Sequence, residues 1–69
     1  MKLKVSYKPL EITLIKKDKT KTDLKRDLKI SPTTIAKIGK GKNIALSVII
    51  SICEYLECGI EDVIELVEE

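Results

Sequence analysis

The chain has 69 residues, 43% of them hydrophobic and 35% charged, with two cysteines and no histidine. That length holds one small domain, which buries only about 60% of its unfolded surface, so stability is modest and self-association is a reasonable expectation. The composition excludes a disordered tail, and the lack of any apolar run near the roughly 18 residues of a membrane span, or of a secretory signal core, predicts a cytoplasmic protein with no membrane partner.

The net charge of +2 conceals a strong polarity along the chain. All thirteen bases lie between Lys2 and Lys42 against four acids, so residues 1–43 carry +9. From Ile44 onward there are seven acids and no base, a charge of −7. Such segregation implies that one end of the molecule meets a polyanion while the other is held away from it.

The first residues, Leu3-Lys4-Val5-Ser6-Tyr7, alternate apolar and polar and predict a short strand or an extended arm. From Lys8-Pro9 a helix runs to about Lys17, with proline in the first turn, Leu10, Leu14 and Ile15 as its buried stripe, and Lys16 and Lys17 where the helix dipole prefers cations. Ile12 is either a second core contact or partly exposed. A polar loop, Asp18-Lys19-Thr20-Lys21, then leads to Thr22, read as the N-cap of a second helix with Asp23 in its first turn and Leu24 and Leu28 as its buried edge.

Ile30 plugs a turn of about three residues, Lys29 to Ser31, the length a helix-turn-helix requires. A third helix opens at Ser31-Pro32, because serine caps an orphan amide and proline at the next position loses no useful donor. It closes at Gly39 or Gly41. Ile35 and Ile38 anchor one narrow edge, leaving Thr33, Thr34, Lys37 and Lys40 to face elsewhere.

Ile44 to Cys58 is the most apolar segment, with Leu46, Ile49, Ile52, Cys53 and Leu56 at helical spacing. Val48 and Ile50 exceed what one stripe can bury, and an exposed apolar patch of this kind marks a partner surface. A homodimer through residues near Val48 and Ile50 is the economical expectation. Gly59 is expected to end this helix, followed by a last turn in which Ile60, Val63 and Ile64 return to the core. Glu65-Leu66-Val67 then extends to pair with the N-terminal strand. Cys53 and Cys58, five apart in a helical segment, should diverge too far to bridge.

The blocks Tyr7-Lys8-Pro9-Leu10, Lys21-Thr22-Asp23-Leu24, Ile30-Ser31-Pro32-Thr33-Thr34-Ile35, Gly41-Lys42-Asn43, Ile52-Cys53-Glu54-Tyr55-Leu56 and Asp62-Val63, in this order and spacing, resemble the Cro/C1-type (lambda-repressor-like) helix-turn-helix regulators over nearly the whole chain. The resemblance implies an all-α, compact bundle of about five short helices, with the two-stranded pairing of the termini as an addition, in a single domain over residues 1–69 whose helix-turn-helix unit spans 22–40. It implies a sequence-specific regulator that binds double-stranded DNA, usually as a dimer, through a recognition helix over about 32–40. Pro32, Thr33, Ala36 and Lys37 then lie nearest the base edges, and Thr22, Lys40, Lys42 and Asn43 match phosphate-contacting positions. Three residues depart from the family pattern: Lys29 stands at the usual turn glycine, Lys25 at a small residue between the helices, and Gly39 at a longer polar one.

The chemistry of the residues points the same way. Lys37 can donate to guanine O6 or N7, and Thr33 and Thr34 can hydrogen-bond a base or phosphate or set a methyl against thymine. The Thr34 hydroxyl has the equal alternative of bonding back to the Ser31 cap. Lysines 21, 25, 40 and 42 supply phosphate contacts. No acid-base pair, nucleophile constellation or glycine-rich phosphate loop can be assembled, so an enzyme is not expected. Two thiols without histidine do not complete a zinc shell, and neither metal nor cofactor is expected. The competing function is a protein-interaction module of the same fold, antitoxin-like or an accessory subunit, with Ile44 to Cys58 as its working face and weak or no DNA binding.

Overall fold

The computed structural model describes all 69 residues, 1–69. Strand β1 (Leu3–Ser6) leads into α1 (Lys8–Lys16), α2 (Lys21–Leu28), α3 (Pro32–Gly39) and α4 (Leu46–Leu56), followed by a 3-10 turn (Ile60–Asp62) and strand β2 (Glu65–Glu68). The architecture is mostly helical, with four α-helices and the 3-10 turn in the place of a fifth. β1 and β2 pair antiparallel with Leu3 opposite Glu68 and Ser6 opposite Glu65, as the terminal pairing required.

One core joins these elements: Leu10 and Leu14 from α1, Leu24 from α2, Ile30 from the turn, Ile38 from α3, Ile49, Ile52 and Leu56 from α4, with Tyr7 and Val63. α1 and α4 contribute at spacings of three or four, and half-buried Leu28 and Ile35 extend the single buried residues of α2 and α3 at the same spacings, so one face of each helix turns inward. Ile30 fills the turn as its position demanded. Burying these chains is the main favourable term for so small a domain. Two polar links lock the ends onto this core. Thr13, buried in α1, donates its hydroxyl to the Asp62 carbonyl at 2.7 Å, and the Leu10 amide donates to the Val63 carbonyl at 3.2 Å.

Several side chains lie elsewhere than the periodicity indicated. Ile15, Leu46 and Ile60 are exposed, and Ile12 takes the exposed of its two readings; the helices are too short and too few to cover a second stripe on α1 or α4. Val48 is half-buried against the core rather than surplus to it, so Ile50 is the outward residue of the pair. Thr20, one residue ahead of the expected loop end, caps α2: its hydroxyl accepts from the Asp23 amide while the Asp23 carboxylate accepts from the Thr20 amide. This reciprocal capping box satisfies two orphan donors at once and leaves Thr22 inside the first turn, not at the cap.

Helix ends provide the other correction. α4 is terminated by Glu57, which adopts φ 52°, and not by Gly59, whose φ of −87° is ordinary. The left-handed residue folds the chain back so that the Cys58 amide bonds the Cys53 carbonyl at 3.0 Å. The two cysteines are therefore brought together, because they lie across a helix end and not along a helix. α1 ends similarly on Asp18, with the Lys19 amide on the Leu14 carbonyl. α3 ends on Gly41 at φ 71°, with the Gly41 amide on Ile38 and the Lys42 amide on Lys37, the paired bonds of a Schellman closure.

Candidate nucleic-acid interface

The helix-turn-helix is built from α2, the turn Lys29-Ile30-Ser31 and α3. Lys29 closes α2 at φ 54°, the left-handed conformation that a glycine would adopt freely. Ser31 caps α3: its hydroxyl accepts from the Thr34 amide at 3.2 Å and donates to the Thr34 hydroxyl at 3.0 Å. Pro32 follows at the first helical position, where its missing amide hydrogen is no loss. The Thr34 hydroxyl is thus engaged in the cap, and the residue is half-buried facing the start of α4.

At 3.6 residues per turn, Ile35 and Ile38 define the inner edge of α3, and Pro32, Thr33, Ala36, Lys37 and Lys40 fall together on the opposite face. All five are exposed. Lys42 and Asn43 continue this surface past the helix, also exposed. Their backbone is held by Tyr7, whose hydroxyl donates to the Lys42 carbonyl at 2.6 Å. Burial raises the Tyr7 pKa above the usual phenol value, so this donor keeps its proton through neutral pH. Gly41, whose left-handed turn aims Lys42, sits against β1 near the Val5 carbonyl. The first strand therefore buttresses the end of α3.

The electrostatics are one-sided. No acid occurs between Asp27 and Glu54, and Lys25, Lys29, Lys37, Lys40 and Lys42 form no ion pair, whereas Lys21 meets Glu11 at 3.5 Å. The Arg26 guanidinium is clamped by Asp23 at 2.7 Å and Asp27 at 2.9 Å, so it is committed to α2 rather than free for a ligand. Arg26 first, and then the Tyr55 hydroxyl that also donates to it, pull the Asp27 pKa down to about 2. The Asp23 carboxyl is lowered chiefly by the Thr20 amide. Tyr55 also lies under Lys19, whose ammonium is 5.3 Å from the ring centroid. This network braces α2 against α4 and neutralises the two acids nearest the exposed lysines.

Thr22 is exposed on the first turn of α2, where helix amides favour an anion. The arrangement thus gathers Pro32, Thr33, Ala36, Lys37, Lys40, Lys42 and Asn43 on one surface, puts Thr22 at the neighbouring helix end and keeps Thr34 at the cap. Two contributors escaped the sequence reading. Lys29, besides its left-handed backbone, is a free cation beside the α3 cap. The start of α4, where Ala45 provides no side-chain cap, opens with Ser47 onto the groove shared by Lys29, Ser31 and Thr34. A cation next to the Ser31 cap is a readable signal; a bare helix end is not.

No helix is long and apolar enough to cross a membrane. No curated protein matches the chain. Among solved structures, the crystal structure of the transcriptional regulator VanUg, form II, superposes with a TM-score of 0.95 at 40% identity, covering 100% of this chain and 92% of that one. The family described as the Cro/C1-type HTH DNA-binding domain matches residues 9–69. With the capped α2-turn-α3 unit and its basic outer face, the chain belongs to the Cro/C1-type helix-turn-helix DNA-binding family.

Proposed function

We propose that this protein is a sequence-specific transcriptional regulator, a single domain over residues 1–69 that works in the cytoplasm and seats α3 in the major groove of double-stranded DNA. The observation that carries the reading is the exposed, acid-free outer face of α3 continuing into Lys40, Lys42 and Asn43. Lys37 reads a guanine edge, Thr33 a base or phosphate, and Pro32 and Ala36 give apolar contact to a thymine methyl. Thr22, Lys40, Lys42 and Asn43 hold phosphates and fix the register. Thr34 orients the cap through its hydroxyl and offers its methyl at the groove edge. Direct readout is sparse, so phosphate contacts provide much of the affinity.

The protein acts as a homodimer. Ile50, with Leu46 and Ile60, forms the exposed apolar face of α4 and the 3-10 turn, whereas Val48 lies on the other side of α4 against the core, in the groove with Lys29 and Thr34. A two-fold pairing there would set two recognition helices roughly 34 Å apart and demand a palindromic site. Selection of bound sequences from random duplex DNA tests all of this together: palindromic half-sites one turn apart support the reading, and failure to enrich any sequence at low salt would overturn it.

A further inference from the structure

A continued α4 would have kept Cys53 and Cys58 apart, since five residues rise about 7.5 Å along a helix axis and a disulfide needs Cα atoms roughly 4.4–6.8 Å apart. Left-handed Glu57 changes this. It returns the chain so that the Cys58 amide hydrogen-bonds the Cys53 carbonyl at 3.0 Å, a closure that sets the two flanking side chains against each other. Both thiols are free and half-buried, and both open onto one groove lined by Ile50, Glu54 and Ile60. Neither is used in the DNA-binding surface, and neither belongs to the fully buried core.

We infer that Cys53 and Cys58 form a thiol–disulfide exchange site that takes a small-molecule disulfide as oxidant and closes into an intramolecular disulfide across the end of α4. In the first step the Cys53 thiolate attacks one sulfur of the oxidant, its S–S bond breaks, and one thiolate leaves. In the second the Cys58 thiolate attacks the Cys53 sulfur of that mixed disulfide and expels the other thiolate. Two electrons pass to the small molecule, which ends as two thiols, and the protein ends with one S–S bond. Cys53, inside α4, is the attacking group and Cys58, beyond the left-handed turn, the resolving one; burial chiefly raises both thiols above their usual range. The reaction therefore quickens as pH rises; it does not rest on the DNA reading, and because the groove is the face proposed to pair two copies, oxidation and dimerisation compete for it.

The test is to incubate the reduced full chain with glutathione disulfide at pH 8, quench with iodoacetamide and weigh the intact protein. The expected product is a monomer about 2 Da lighter than the reduced chain that takes up no alkylating groups. Cys58→Ala, lacking the second nucleophile, should instead accumulate a stable mixed disulfide at Cys53. If the wild-type chain also stops at mixed disulfides, forms only intermolecular dimers, or remains fully alkylatable while Cys58→Ala reacts, the inference fails. Reduction of the oxidised monomer with a phosphine must return both alkylation sites.

Discussion

α3 and α4 are neighbouring helices that bury one edge in the same core and turn opposite characters outward. The outer face of α3 is polar and basic, with three free lysines on and just after it. The outer face of α4 and the 3-10 turn is apolar, with Ile50 and Ile60 rimmed by Glu54, Glu57 and Asp62 and no base in the chain beyond Lys42. The first suits a polyanion and the second repels one. Charge separation along the chain becomes a difference between surfaces only where local pairing leaves it intact. At the termini the two signs meet: Lys4 in β1 and Lys2 just before it lie beside Glu65, Glu68 and Glu69 in or just after β2, so two of the thirteen bases face acids there.

The largest effect comes from breaking what the two faces share. Ile52 is fully buried on the inner side of α4, and Ile52→Ala should cost about 2–5 kcal/mol, comparable to the whole stability of a domain this size. Urea unfolding should show the loss, and DNA binding and association should fail together. Ile50→Asp, on the outer side of the same helix, should shift the urea midpoint little, by about 0.5 kcal/mol or less. It should nonetheless leave a monomer in sedimentation and weaken binding to a two-half-site operator. An Ile50→Asp variant that unfolds would show that the outer face of α4 belongs to the core.

Lysine substitutions sharpen the comparison from the other side. Lys37→Ala should lower discrimination at one base pair by about 1–3 kcal/mol, whereas Lys42→Ala should weaken all duplexes alike and reduce the salt slope by about 1. Added salt should separate the faces further. DNA affinity falls with a log–log slope near 0.9 per neutralised phosphate, while screening of Glu54, Glu57 and Asp62 across a two-fold should tighten the dimer. Titrations over a range of salt, with DNA and without it, check both signs.

Acid acts on the brace between the faces. The carboxyls of Asp23 and Asp27 titrate below the ordinary range when folded, Asp27 at about 2. Their contribution to stability is therefore complete above the ordinary carboxylate pKa of about 3.9 and lost as pH falls from there toward about 2. Tyr55→Phe removes one donor to Asp27 and should make part of that loss already present at neutral pH. Urea midpoints at pH 6, 4 and 2.5 should converge between wild type and variant as the pH drops.

The helix-turn-helix was readable because its signals are local. Ser31-Pro32 fixes a helix start through hydrogen bonding and a preset φ, and Leu24, Leu28, Ile30, Ile35 and Ile38 mark the buried side at helical spacing. The terminal pairing was readable from alternation at both ends. What escaped depends on how the chain folds back on itself. The exposure of Ile15, Leu46 and Ile60 reflects which neighbouring helix is long enough to cover them, which periodicity does not encode. Thr20 outcompeted Thr22 as a cap because only Thr20 stands three residues before Asp23, a capping-box spacing that was present in the sequence. The residues proposed to read bases are legible as a surface, but the partners assigned to them lie on another molecule.

The smallest expected effects lie at the left-handed residues, where glycine's usual place is taken by a charged side chain. Lys29 and Glu57 sit at φ 54° and 52°, a conformation that costs an L-residue on the order of 1 kcal/mol. Replacing either with glycine should relieve that strain at some entropic cost from the unfolded chain, for a net gain of about 0.5 kcal/mol and a rise in Tm of a few degrees at most. Their functional consequences should diverge. Lys29→Gly removes a free cation beside the α3 cap and should weaken DNA binding even as it stabilises the turn. Glu57→Gly removes an acid from the rim of the α4 face and should tighten the dimer with no direct effect at a single half-site. Thermal melts, half-site titrations and sedimentation on the two variants would show similar stabilities with opposite functional shifts, because the same backbone relief is delivered to faces of opposite charge.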